Sequence, residues 1–285
     1  MFLPHKILED RLRNMLAEDV GEGDITTALI VQVGATGEAE VRFKESGVAA
    51  GIEESTVLLE SLGLETQALF GDGDEVEANQ VVMRISGDAR TILSVERTLL
   101  NLLSRMSGIA TATRKLVKMI LKAGLKTRIA CTRKSAPGLL YFDKKAVLLG
   151  GGDTHRLHLD DMVLIKDNHI AMAGSLREAV RTAKERASFS KKIEVEVPSA
   201  AVAVKAAEAG ADIIMLDNFS PKQVQVAMRL LEKAGFLGKV LIEASGGITA
   251  ETVLAYASTK VDIVSLGEIT ESPRALDINL KIARG

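Results

Sequence analysis

The residues best suited to chemistry lie in the second half of the chain. Arg133 and Lys134 follow the run RIACT, which Thr132 closes. His155 and Arg156 follow three consecutive glycines in GGGDTHR, and Lys166 ends MVLIK, just ahead of Asp167, Asn168 and His169. Two arginines and two lysines aimed at one mouth repel each other unless an anion of several charges sits between them. Three of the four histidines fall between 155 and 169. They make no HxH or HxxxH pair with acidic partners, so an anion pocket is the better reading than a metal trio. Arg97, in SVERTLLN, is a further cation on a helical stretch.

Acids and glycines complete the set. Glu194 and Glu196 in IEVEV share one face of a strand. Two acids facing inward from an otherwise apolar strand need cationic partners. Glu196 and Asp217 could hold Mg²⁺ or ribose hydroxyls, since Mg²⁺ takes one or two carboxylates plus substrate phosphates. Ser245, Gly246 and Gly247 end one late strand and Gly267 the next. Backbone N–H groups in such turns bind phosphate.

These residues need elements to place them. From about residue 126, β-rich runs alternate with Ala-rich helical runs: RIACT, MVLIK, IEVEV, DIIMLD, KVLIEAS and DIVSLG, with SLREAVRTAKERA and SAAVAVKAAEAG among the helices. That alternation predicts a parallel sheet covered by helices, with the site at the carboxyl ends of the strands. Six clear strands are fewer than the usual eight, which predicts an irregular barrel or an open sheet. Upstream, Leu8, Leu12, Leu16 and Val20 give a helix over 5–20. TGEAEVRFKE alternates as a half-buried strand, GIEESTVLLESLG reads as a short helix, and GDGD and SGDA read as turns. The apolar period over 91–123 suggests two helices separated at Ser107-Gly108. The expected division is an α+β domain over 1–112 and an α/β domain over 113–285.

The chain has 285 residues, 47% of them hydrophobic and 26% charged, enough for a full core. Net charge is −2, which argues against non-specific nucleic-acid binding. Aromatics make only 3%, with no Trp, which excludes a stacking platform for single strands. One cysteine excludes a disulfide framework. No signal peptide or run of 18 apolar residues is visible, so the expectation is a soluble, cytoplasmic protein without membrane or nucleic-acid partners.

The segment TRKSAPGLLYFDKKAVLLGGGDTHRLHLDDMVLIKDNH resembles the signature of the quinolinate phosphoribosyltransferase family. IEVEV, GADIIMLDN, EASGGI and LGEITESPRALDINLKI resemble the same family in the same order, and ERTLLNLLSRMSGIAT and EDVGEGDITT resemble its N-terminal half. The resemblance implies a type II phosphoribosyltransferase, an incomplete α/β barrel with an N-terminal α+β sandwich. It implies that quinolinate and phosphoribosyl pyrophosphate, with Mg²⁺, give nicotinate mononucleotide, pyrophosphate and CO₂ in NAD synthesis. By motif match, Arg97, Thr132, Arg133, Lys134, His155, Arg156 and Lys166 would surround the quinolinate carboxylates and nearby phosphates. Glu196 and Asp217 would meet ribose or Mg²⁺, and Ser245, Gly246, Gly247 and Gly267 the 5′-phosphate. Lys134, Lys166, Glu196 and Asp217 are the expected catalytic residues. The resemblance also implies a homodimer or dimer-based oligomer with a shared site, to which Lys44 is a candidate contributor. The chain departs from the family pattern at His158, where Gly is usual, and at Glu271, where His is usual. The alternatives are a paralogue acting on nicotinate or another aromatic acid, a Schiff-base aldolase using Lys134 or Lys166, and a non-catalytic phosphoribosyl sensor.

Overall fold

The computed structural model describes residues 3–283. The chain divides into two compact units. Met1–Arg114, Lys145–Gly151 and Pro273–Gly285 form one, and Lys115–Lys144 with Gly152–Ser272 the other.

The first unit opens with α1 (His5–Val20), α2 (Ile25–Ile30), β1 (Thr36–Phe43), β2 (Gly47–Val48) and α3 (Ile52–Ser61). It continues with β3 (Glu65–Ala68), β4 (Glu75–Val76), β5 (Val81–Asp88) and the start of α4 (Ala89–Lys122). Ala39, Val41 and Phe43 alternate into the core along β1. The Asp24 carboxylate accepts from the Thr27 N–H and caps α2.

The second unit holds β6 (Arg128–Cys131), the first half of α5 (Leu140–Leu149), β7 (Val163–Ile165), α6 (Asp167–Ala173), α7 (Leu176–Arg186) and β8 (Ile193–Val197). Then come α8 (Ala200–Ala209), β9 (Ile213–Asp217), α9 (Pro221–Lys233), β10 (Leu241–Ser245), α10 (Val253–Ala257), β11 (Ile263–Leu266) and α11 (Glu268–Glu271). Its six strands run parallel in the order β6-β11-β10-β9-β8-β7. The two end strands, β6 and β7, are not joined to each other, so the barrel is incomplete, as six strands predicted. Serine side chains start three of its helices: Ser175, Ser199 and Ser220 accept from the N–H groups of Glu178, Val202 and Gln223.

Three sequence expectations change. The stretch from 91 is one helix, not two. Gly108 does not break α4; a Cβ there would lie 2.0 Å from the Arg274 carbonyl oxygen, so the glycine permits a close backbone approach. SGDA is not a turn, because β5 runs through Asp88 directly into α4. The compact units do not follow a single cut: the first break lies between Arg114 and Lys115, and two later segments return to the first unit. One is the last strand, β12 (Ile278–Ala283), which pairs antiparallel with β1 in the sheet order β12-β1-β5-β3. It buries Ile278 and Leu280 and covers what would be an open edge of β1. The other is Lys145–Gly151, where the buried Lys145 ammonium meets Glu53, Glu54 and Asp72. Among the described residues no helix is long and apolar enough to cross a membrane.

Candidate active site

Parallel register stacks the inward side chains of the second unit in rows. Glu196 pairs with Met215, Met215 with Glu243, and Glu243 with Ile263. Two residues further along their strands, Asp217 pairs with Ser245. Side chains alternate along each strand, so these rows share one face. That face lines a cavity of about 490 Å³ at the carboxyl ends of the strands.

The cavity gathers nearly all of the expected site: Thr132, Arg133, Lys134, His155, Arg156, Lys166, Glu196, Asp217, Ser245, Gly246, Gly247 and Gly267. Arg97 is not among its lining residues; it is exposed on α4 in the first unit. Lys44, also in the first unit, lies 3.7 Å from Asp277. Leu164, Met215, Asn218, Glu243 and Ser265 line the cavity as well, beyond the residues assigned to substrate or metal from the sequence. Period 2 finds four of them: Leu164, Met215, Glu243 and Ser265 each lie two residues before a strand-end residue, on the same face. Attention to the last residue of each strand passes over them.

The inward acids have their cations. Lys166 Nζ lies 3.3 Å from Glu196. Lys166 also starts α6, where its N–H donates to His169 Nδ1 at 3.0 Å, so His169 orients the segment. Deeper in the unit, Glu194 and Glu243 are both fully buried. His155 Nε2 lies 3.1 Å from Glu243 and 3.3 Å from Glu194. Burial pushes the Glu194 carboxyl up to about 7, the charge of Glu243 adds to the rise, and His155 opposes it. For His155, burial acts downward, but its contacts with the two carboxylates outweigh that and raise it. The cluster therefore keeps a proton that separate groups would release. Arg156 is pushed down by burial and by the charge of Arg133 beside it. Two guanidiniums lining one space, each repelling the other, suit a dianion.

The glycines divide their work. A Cβ on Gly246 would fall 2.4 Å from Asn218 Oδ1 and 2.7 Å from the Asn218 nitrogen. The Asn218 N–H in turn donates to the Ser245 carbonyl at 2.9 Å. Gly246 thus serves close packing. Gly247 has φ +62° and nothing near its would-be Cβ, which leaves its backbone open toward a phosphate. Gly267 sits against Lys134 and Glu271. Lys134 Nζ lies 3.4 Å from Glu271, both side chains being more than half exposed. His158, the other departure, is exposed and does not line the cavity.

Glu196 and Asp217 suit Mg²⁺ by donor type. They are carboxylates on neighbouring strands, on one face, both lining the cavity. Mg²⁺ binds through one or two carboxylates and keeps waters and substrate phosphate oxygens as its other ligands. Asn218 Nδ2 donates to Asp217 at 2.6 Å and steadies it.

Two domain descriptions match in sequence. Residues 24–107 match "Quinolinate phosphoribosyl transferase, N-terminal domain", and residues 109–281 match its C-terminal domain. A curated relative from Methanothermobacter thermautotrophicus, named "Probable nicotinate-nucleotide pyrophosphorylase [carboxylating]", is 45% identical over 96% of this chain and 98% of its own length. The human "Nicotinate-nucleotide pyrophosphorylase [carboxylating]" is 36% identical over 99% of this chain and 94% of its own. The solved structure of the nicotinate-nucleotide pyrophosphorylase from Francisella tularensis superposes with a TM-score of 0.90 at 37% identity, covering 99% of this chain and 98% of that one. With both domains matched in order and relatives of this similarity along nearly the whole length, the chain belongs to the quinolinate phosphoribosyltransferase family.

Proposed function

We propose that this enzyme transfers the phosphoribosyl group of phosphoribosyl pyrophosphate to quinolinate. The products are nicotinate mononucleotide, pyrophosphate and CO₂, a step of NAD synthesis. The observation that carries the reading is the convergence of Arg133 and Arg156 with Lys134, Lys166, Glu196, Asp217 and the Ser245–Gly247 turn on one cavity. One small dianion beside one sugar phosphate answers every charge in that set.

In this reading Arg133 and Arg156 take the two ring carboxylates by paired N–H donation. Thr132 and His155 stand beside them, and Leu164 and Met215 give the ring an apolar floor. The ring nitrogen attacks the anomeric carbon as the bond to pyrophosphate breaks. The transition state carries positive charge at that carbon, so Glu196 and Asp217 stabilise it electrostatically while holding the ribose hydroxyls. Lys134 and Lys166 meet the anionic oxygens. Ser245, Gly246, Gly247 and Gly267 hold the 5′-phosphate. Mg²⁺ bound at Glu196 and Asp217 would neutralise the leaving pyrophosphate. The ring nitrogen is then cationic and stabilises the electron pair left at C2 as the 2-carboxylate departs as CO₂, and that pair takes up a proton. The protein's remaining part is to orient the reactants and exclude water.

The functional particle in this reading is a homodimer or dimer-based oligomer, with Arg97 and Lys44 as the first-unit cations offered to a neighbouring cavity. Cytoplasmic placement accords with a single, free, buried cysteine. The test incubates the protein with phosphoribosyl pyrophosphate and Mg²⁺, and with quinolinate or nicotinate in parallel. The expected result is nicotinate mononucleotide and one equivalent of CO₂ from quinolinate, with no product from nicotinate. Product from nicotinate alone would overturn the assignment, and omission of Mg²⁺ should abolish turnover.

A further inference from the structure

His155 lines the cavity but offers it neither ring nitrogen. Nδ1 accepts the Arg156 backbone N–H at 2.8 Å. Nε2 meets Glu243 at 3.1 Å and Glu194 at 3.3 Å. The two carboxylates favour a charged ring, but a nitrogen that accepts an N–H carries no proton, so the Arg156 N–H on Nδ1 decides the matter: the single ring proton sits on Nε2 and points at the carboxylates. The backbone around it is over-determined. His155 has φ +51°, a left-handed conformation that strains a non-glycine residue. Its own N–H donates to Asp153 Oδ1 at 2.8 Å. The Thr154 carbonyl just before it accepts from the buried Lys144 ammonium. Strain held in place this firmly marks a segment whose geometry matters.

We infer that Glu243 and Glu194 are positioning residues for Arg156: they select the Nε2–H form of His155, whose Nδ1 then fixes the Arg156 backbone at the cavity wall. Glu243 acts through a hydrogen bond. Glu194, fully buried and outside the cavity lining, acts through charge. The functional consequence rests on the reading of this cavity as the quinolinate site, in which Arg156 meets a ring carboxylate. His155 then contributes as a strut and not as a donor to the substrate.

The first arm of the test needs no substrate. With only four histidines in the chain, spectra of ¹⁵N-labelled imidazoles report each tautomer in the intact protein. The inference expects His155 with Nε2 protonated and Nδ1 bare at pH 7.5, and Glu243→Gln to change that signature. A doubly protonated ring, or a bare Nε2, overturns it. So does one equivalent of a divalent metal in the purified protein, bound by His155, Glu194 and Glu243 and lost on Glu243→Gln. The second arm is kinetic. Glu243→Gln and, separately, Glu194→Gln should raise KM for quinolinate about tenfold while KM for phosphoribosyl pyrophosphate stays within about twofold. Equal rises in both constants in a variant of unchanged melting temperature would overturn the positioning role. If the wild type gives no product, the assignment of function has failed, and the tautomer arm still decides this inference.

Discussion

Lys145 in the first unit and His155 in the second each meet a cluster of acids that includes a fully buried carboxylate, and they differ in what is left over. Lys145 Nζ reaches Glu53, Glu54 at 2.7 Å and Asp72 at 3.4 Å. Asp72 Oδ1 in turn accepts the Gly51 and Ile52 N–H groups at the start of α3. Three ammonium protons face three acids, and Glu54 Oε2 is the one buried oxygen of the cluster without a hydrogen bond. The His155 group has one N–H for two fully buried carboxylates. Both oxygens of Glu194 and one of Glu243 lack a hydrogen bond, and the group borders a cavity. A buried charge that is nearly satisfied holds a fold together; one that is left short beside a cavity is kept for function.

The comparison can be broken first at Lys145. Lys145→Met strands Glu54 without its cation and should cost about 3–5 kcal/mol. A fall in melting temperature with unchanged KM values in the remaining folded protein fits the account, and a stable variant would remove the first cluster from the fold's support. In the second unit, Glu196→Ala should lower kcat about 100-fold with little effect on stability, because its work is in the transition state. An unchanged kcat would move Glu196 out of the reaction. The smallest effect belongs to Glu271. Its pair with Lys134 is exposed, so Glu271→Gln frees the lysine for phosphate and should lower KM for phosphoribosyl pyrophosphate by about two- to fivefold. A higher KM would mean that Glu271 assists binding.

The second cluster also gives stability a dependence on pH. The folded state holds a proton at Glu194 between its ordinary value of 4.5 and about 7, where the unfolded chain has released it. Stability contributed there therefore falls as pH rises through that window. Glu194→Gln should flatten this slope in thermal melts from pH 4.5 to 7, and an unchanged slope would place the proton elsewhere.

Much of this was legible in the sequence because strand-end chemistry is local. IEVEV and DIIMLD end where their patterns end and RIACT one residue sooner, and Thr132, Glu196 and Asp217 at those ends all line the cavity. What stayed hidden depends on distant partners. The Gly108 approach to Arg274 and the return of β12 to β1 join segments far apart in sequence, so neither leaves a local signal. Glu194 was legible as an inward acid that needed a cation, but not its partner. His155 reaches it only because the Asp153–Arg156 segment takes a left-handed turn. Asn218, also left-handed, is found at the cavity for the same reason.

The central claim is that the second unit's cavity holds quinolinate between Arg133 and Arg156. Calorimetric titration of quinolinate into the wild type and Arg133→Ala, at matched melting temperatures, tests it most directly. The account predicts at least about tenfold weaker binding by the variant, the loss expected for one charge-assisted pair of hydrogen bonds. Equal affinity in the two proteins would contradict it and place the aromatic acid elsewhere.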